Sequence, residues 1–314
     1  MLYGTGEWQK EEIDLTMQDI MEEMDIAFPH LGIYLHNVPK SIMIGNFSIA
    51  LYGIMVASGM LLGILLSSRI AKKTGQDPDT YWDLSIWLLI FSIIGARIYY
   101  VIFEWDMYKD DPIQILNLRG GGLAVYGGII AGVLTVILYA KRHSLKLPLV
   151  LDTCVYGLLL GQIVGRWGNF FNREVFGEYT DSLFAMRIPI SMVRPSDISE
   201  SIAAHIAEGT NYIQVHPTFL YEGMWNLMLL ILLLIYLKHK KFDGEITLLY
   251  FAGYGIGRTW IEFIRTDQLY IPGTSVPVSM ALSAVLAVVS VIMIIVIRRR
   301  PAAGKEADGQ KDGM

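Results

Sequence analysis

Long apolar runs separated by short basic loops decide what this chain can fold into. A bilayer core about 30 Å thick is crossed by roughly 20 apolar residues in a helix. Seven stretches reach about that length: 47–70, 82–103, 123–140, 147–167, 217–237, 246–264 and 276–297. The fifth and seventh are the cleanest, whereas the fourth and sixth carry glycines and an arginine near one end. Only 18% of the 314 residues are charged and 53% are hydrophobic, against about a quarter charged in a soluble domain. That balance excludes an ordinary soluble enzyme, a disordered chain and a nucleic-acid binder, which would need a basic face. The first forty residues are acidic and mixed, so no secretory signal peptide is expected. The expected fold is an all-α polytopic membrane protein, with seven transmembrane helices and a small extracytoplasmic head domain.

Loop charge sets the expected orientation, because short cytoplasmic loops retain Lys and Arg. Arg69, Lys72 and Lys73 follow the first span; Lys141, Arg142 and Lys146 join the third and fourth. Lys238, Lys240 and Lys241 follow the fifth, and Arg298, Arg299 and Arg300 the seventh. With seven spans all four groups fall on one side. The divisions expected are an acidic N-terminal extension outside (1–45), spans one to four (46–168), an outer head (169–216), spans five to seven (217–297) and a cytoplasmic tail (298–314). The head is longer than a simple connection, and contains a strand-like FAMRIPISMV and a helix-like DISESIAAHIAE. Part of the extension, IDLTMQDIMEEM, has helical spacing suited to a surface helix.

A charged residue inside a span costs about 2.5–3.5 kcal/mol, so it needs a partner or a task. Arg97 sits in the second span, and Arg166 ends the fourth within GRWGNFFNREVFGE, with Asn169, Asn172, Arg173 and Glu174 close behind. Tyr221 and Glu222 open the fifth in HPTFLYE. The sixth carries Arg258, Glu262 and Arg265, spaced to share one helical face with the carboxylate between the guanidinium groups. An outer cavity lined by arginines in excess of carboxylates suits an anionic phosphate, which Arg grips with a planar donor pair. Structural pairing or snorkelling to headgroups is the competing reading, weightiest for Arg97 and Arg265.

Glycines at four-residue spacing, Gly161/Gly165 and Gly253/Gly257, are expected to let helices approach closely in lipid. Three in a row, 120–122, do not favour a helix and point to irregular backbone near a ligand or another helix. Cys154 alone rules out an intrachain disulfide and a cysteine cluster, and is read as a packing residue. No histidine pair has metal-ligand spacing, so neither metal nor cofactor is expected. His216, directly before Pro217, is the histidine best placed to matter.

The runs GGLAVYGGIIAG, GRWGNFFNREVFGE, HPTFLYE and GYGIGRTWIEFIRTDQ, in this order and spacing, resemble the prolipoprotein diacylglyceryl transferase family across about 46–297. The resemblance implies a bacterial cytoplasmic-membrane enzyme with the N-terminus outside and the C-terminus in the cytoplasm. Its partners would be phosphatidylglycerol and a preprolipoprotein signal peptide with its lipobox cysteine. It would move the diacylglyceryl group onto that thiol, forming a thioether and releasing glycerol 1-phosphate. Arg166 matches the essential arginine of the GRxGN signature, with Asn169 and Glu174 beside it. Arg258, Glu262 and Arg265 match the sixth-span motif, and Tyr52 in IALYGIM resembles the first-span tyrosine. Many members carry a histidine where this chain has Tyr126, and a phenol with pKa near 10 does not take a thiol proton near neutrality unless strongly perturbed.

The expected chemistry is attack of a thiolate on the glycerol carbon that bears the phosphate. Arg166 and Arg258 stabilise the charge growing on the leaving oxygen, while Asn169 and Tyr126 position the headgroup. Glu262 holds Arg258 and Arg265, Glu174 orients Arg166, and Tyr52, Arg97 and His216 complete the substrate contacts. A few per cent of a free thiol is ionised at pH 7, and nearby guanidinium groups raise that fraction, so a dedicated base is dispensable. His216 and the leaving phosphate are the remaining proton acceptors. A transporter or flippase for an anionic lipid or solute is the alternative. It is disfavoured by the odd span count, the missing repeats and polar groups confined to one half of the membrane.

Overall fold

The computed structural model describes residues 25–118 and 121–299. The surface helix expected over 13–24 and the tail after 299 lie outside the described residues. Seven helices of at least 18 residues run through the rest: α1 (Leu51–Lys73), α2 (Asp79–Phe103), α3 (Val125–Arg142), α4 (Leu147–Asn172), α5 (Thr218–Tyr236), α6 (Glu245–Glu262) and α7 (Val278–Arg299). Among the described residues six are long and apolar enough to cross a bilayer, which makes the chain a multi-pass membrane protein. The helix outside that set is α6: its 18 residues include Glu245, Arg258 and Glu262, so charge and not length sets it apart. The first expected span begins four residues early. Phe47–Ala50 is a strand (β4) paired antiparallel with Ser41–Ile44 (β3), and helix starts at Leu51.

Two compact units divide the chain. The first comprises residues up to 59, 159–232 and from 248 onward. Besides its helical segments it contains a four-stranded antiparallel sheet in the order β2-β1-β5-β6, from β1 (Ile26–Phe28), β2 (Ile33–Leu35), β5 (Met186–Pro189) and β6 (Tyr212–Val215). Ala27 pairs with Arg187, so residues 26–35 of the expected extension join a sheet built from the 169–216 segment. Alternate side chains of β5 and β6 point inward, as a half-buried strand requires. Ile26, Met186, Ile188, Ile213 and Val215 pack there with Phe170, Phe176 and Phe219, which ties the sheet to the end of α4 and the start of α5. The helix-like piece shrinks to one turn, Glu200–Ala203, in which the Ile202 N–H donates to the Ser199 hydroxyl.

The second unit comprises 60–158 and 233–247. Ala71, Tyr81, Leu84, Val136, Tyr139 and Val150 form its core, with Cys154 packed against it as expected of a packing residue. Asp152 of α4 is buried and anchors the start of α6. It accepts the backbone N–H groups of Gly244 (2.8 Å) and Thr247 (2.9 Å) and pairs with Lys240 at 3.2 Å. A carboxylate there satisfies N–H groups that have no partner within the helix.

Candidate active site

The site of the first unit is built from three helix ends. On α6, Arg258 and Glu262 fall on one face, as their spacing predicts, but the helix ends at Glu262 and leaves Arg265 beyond it. Arg258 Nη2 lies 2.7 Å from Glu262 Oε2, and the Ser279 hydroxyl of α7 donates to the other oxygen of Glu262. Arg265 reaches Glu262 only at 4.0 Å. Its guanidinium instead donates twice to Asp267, at 2.9 and 2.7 Å, a two-pronged pair that closes the loop beyond the helix.

The end of α4 explains the GNFFNREVFGE segment. Arg173 takes φ 54°, its N–H reaches Phe170 O (3.1 Å) and the N–H of Glu174 reaches Asn169 O (3.1 Å). This is the two-bond helix stop normally made with glycine at the left-handed position. It folds Glu174 back over the last turn, where Asn169 Nδ2 donates to Glu174 Oε1 at 3.0 Å. Arg166, one turn earlier, donates to Asn169 Oδ1 at 3.4 Å, so Glu174 acts on Arg166 through Asn169. Gly177 follows, where a side chain would come within 2.5 Å of Ile264 O and 2.9 Å of His216 Cβ. Lacking one, the strand-like turn passes between them, with Glu178 N donating to Ile264 O and Gly177 N to His216 O.

Glu222, in the first turns of α5, joins these pieces. Its Oε2 is ion-paired with Arg166 Nη2, and its Oε1 accepts from Arg258 Nη1 at 3.0 Å and Arg265 Nη1 at 3.2 Å. Three guanidinium groups from two helix ends thus meet on one buried carboxylate. The expected excess of arginine over carboxylate is not found. Arg166, Arg258 and Arg265 are matched by Glu222, Glu262 and Asp267, because uncompensated charge removed from water is too costly to keep. The pairing leaves a gradient of exposure, 20% for the Arg166 side chain, 14% for Arg258 and 8% for Arg265. Arg166 is the most exposed of the three.

Tyr52, at the start of α1, lies against Gly168 of α4, close enough to Arg166 and Glu174 to feel both charges. His216 is half-buried, with Nδ1 3.2 Å from the Tyr221 hydroxyl. Burial holds its pKa below the usual histidine value, against an opposing pull from Glu178, so the neutral ring is favoured. Tyr221 in turn meets the rings of Trp260 and Phe184, an aromatic wall next to Glu222 in sequence.

Arg97 and Tyr126 belong to the second unit. Arg97 is buried, and its five N–H groups are spent on backbone: Nε on Ile115 O, Nη1 on Gly121 and Gly122 O, Nη2 on Gln114 and Asn117 O. Its guanidinium also lies 5.1 Å from the centre of the Tyr108 ring. Gly121 and Gly122 adopt φ 84° and 75°, a region open to glycine, and a side chain on Gly122 would come within 2.3 Å of Arg97. The glycine run brings backbone close to an arginine. Tyr126 stands exposed in the first turn of α3.

The profile of the prolipoprotein diacylglyceryl transferase family matches residues 39–296. The chain belongs to that family. A phosphatidylglycerol–prolipoprotein diacylglyceryl transferase of Synechococcus elongatus is 44% identical over 238 residues, 74% of this chain and 78% of its own length. Proteins of the same name from Bacillus cereus and Trichormus variabilis are 39% and 35% identical, over 86% and 88% of this chain and 97% and 96% of their own. Membership supports the transferase reading over a transporter. The expected residues Arg166, Asn169, Glu174, Arg258, Glu262 and Arg265 of this diacylglyceryl transferase are gathered in one network. Glu222, at its centre, is given no role by sequence reasoning. A carboxylate at the opening of an apolar span was the available signal.

Proposed function

We propose that this chain transfers the diacylglyceryl group of phosphatidylglycerol to the lipobox cysteine thiol of a preprolipoprotein. The sulfur attacks the glycerol carbon that bears the phosphate, a C–S bond forms, the C–O bond breaks and glycerol 1-phosphate leaves. The thiol proton passes to His216, kept neutral by burial, or to the departing phosphate. Arg166 and Arg258 stabilise the charge gathering on the leaving oxygens. The headgroup phosphate competes with Glu222 for them, so the carboxylate holds both guanidinium groups until lipid arrives. Asn169 and Tyr52 border the bound headgroup, Glu262 and Glu174 hold Arg258 and Asn169, and Arg265 closes the network on Asp267. Arg97 acts through the loop it folds, and Tyr126 contacts the headgroup.

The same reading takes α6 as a seventh span, its three charges spent on interior partners. It sets the N-terminus and the four-stranded head outside and the C-terminus in the cytoplasm, consistent with the basic loops. The observation that carries the proposal is the meeting of Arg166, Arg258 and Arg265 on Glu222, with Arg166 still open to a ligand. Membranes containing the chain, phosphatidylglycerol and a lipobox peptide are expected to release glycerol phosphate in step with peptide lipidation. Lipidation of a Cys→Ser peptide at the same rate would refute the thiol as acceptor.

A further inference from the structure

We propose that the groove between α2 and α3 is a binding site for an anionic phospholipid of the surrounding bilayer, made wholly of second-unit residues. The groove has a cavity volume of about 1130 Å³ and its lining is apolar except at one end. Its floor is the seam where the two helices touch. A side chain on Gly95 would come within 2.3 Å of Ala131 Cβ and 2.8 Å of Gly127 O, so the backbones meet and the flanking side chains stand up as walls. Trp87, Phe91 and Ile94 form one wall, with Trp87 and Phe91 stacked at 5.7 Å. Leu134 and Leu138 form the other.

The polar end is what selects a lipid. Lys141, Arg142 and His143 close the groove where α3 stops, and the His143 ring stacks on Tyr139 at 4.2 Å. No carboxylate lines it, although Asp77 and Asp83 lie near Tyr139. Among the described residues neither Lys141 nor Arg142 is ion-paired, so both cations are available to a phosphate. An apolar trough ending in two unspent cations at a span terminus complements a phospholipid with a net negative headgroup. Acyl chains gain little by leaving lipid for the groove, so occupancy rests on the headgroup. One basic residue near a membrane surface favours an anionic lipid by about fivefold.

The test is photolabelling of the full chain in bilayers, with acyl-chain diazirine probes of phosphatidic acid and phosphatidylcholine and crosslinks located by mass spectrometry. Phosphatidic acid, which carries no glycerol headgroup, is expected to label segments 87–98 and 134–143 about 25-fold more than phosphatidylcholine, about fivefold from each of the two cations. The Lys141→Gln/Arg142→Gln variant should fall to the phosphatidylcholine level, while Lys141→Arg/Arg142→Lys keeps the preference and reports an intact fold. Equal labelling by the two probes would overturn the proposal. So would exclusion of both probes by a second copy, seen as crosslinking between Leu134→Cys chains.

Discussion

Arginine sits in apolar surroundings in both units, and the two settings differ in what holds it. In the second unit Arg97 is saturated by five backbone carbonyl contacts, neutral partners fixed by the path of residues 114–117 and 121–122. In the first, Arg166, Arg258 and Arg265 are held by the Glu222 carboxylate, a charged partner. A carbonyl cage turns an arginine into a scaffold element. A carboxylate hub holds it by charge, and on the proposed function a phosphate would compete for the same donor pairs.

The largest effect is expected at the hub. Glu222→Ala would leave three guanidinium groups without their common partner. Loss of a buried partner costs about 3–5 kcal/mol, so thermal unfolding in detergent should move down sharply and transfer should disappear. Survival of both would show that the arginines do not depend on it. Next is Arg166→Lys, which keeps the charge and loses the two-pronged grip. Transfer is expected to fall by about 100-fold, with stability close to the parent because the side chain is the most exposed of the three. Arg97→Lys should do the reverse, costing about 2–3 kcal/mol in stability and speeding hydrogen exchange over 112–124 with little change in KM for lipid. A KM effect larger than the stability effect would move Arg97 into the binding site.

Smaller effects come from titration and from a hydroxyl. The pKa of His216 is lowered in the fold, so below about pH 6.5 the unfolded chain binds more protons and stability drops as pH falls. His216→Gln should flatten that part of the stability curve, and an unchanged curve would assign the slope to other groups. Least affected is Tyr126→Phe, expected to retain measurable transfer. Complete loss would give the phenol a part in proton movement.

What the sequence displayed was local. Arg258 and Glu262 are four residues apart, and Arg166 and Asn169 three, so helical geometry alone puts each pair in contact. The membrane helices follow from apolar length in the same way. What it hid was contact between distant segments. Nothing in HPTFLYE says that Glu222 meets Arg166 and Arg258, because the pairing depends on how separate helices pack. Equally, IAF at 26–28 is too short a run to announce a strand, and only its pairing with Ile33–Leu35 and Met186–Pro189 reveals one. Arg97 stayed open between two readings for a physical reason: a buried arginine looks the same in sequence whether phosphate or carbonyl oxygen satisfies it.

The most direct measurement is the rate of glycerol phosphate release by Arg258→Ala in phosphatidylglycerol membranes supplied with a lipobox peptide, on protein whose folding is verified by thermal unfolding. Stabilisation of the leaving phosphate by this guanidinium predicts a loss of at least about 100-fold. Release at the parental rate from the folded variant would contradict it.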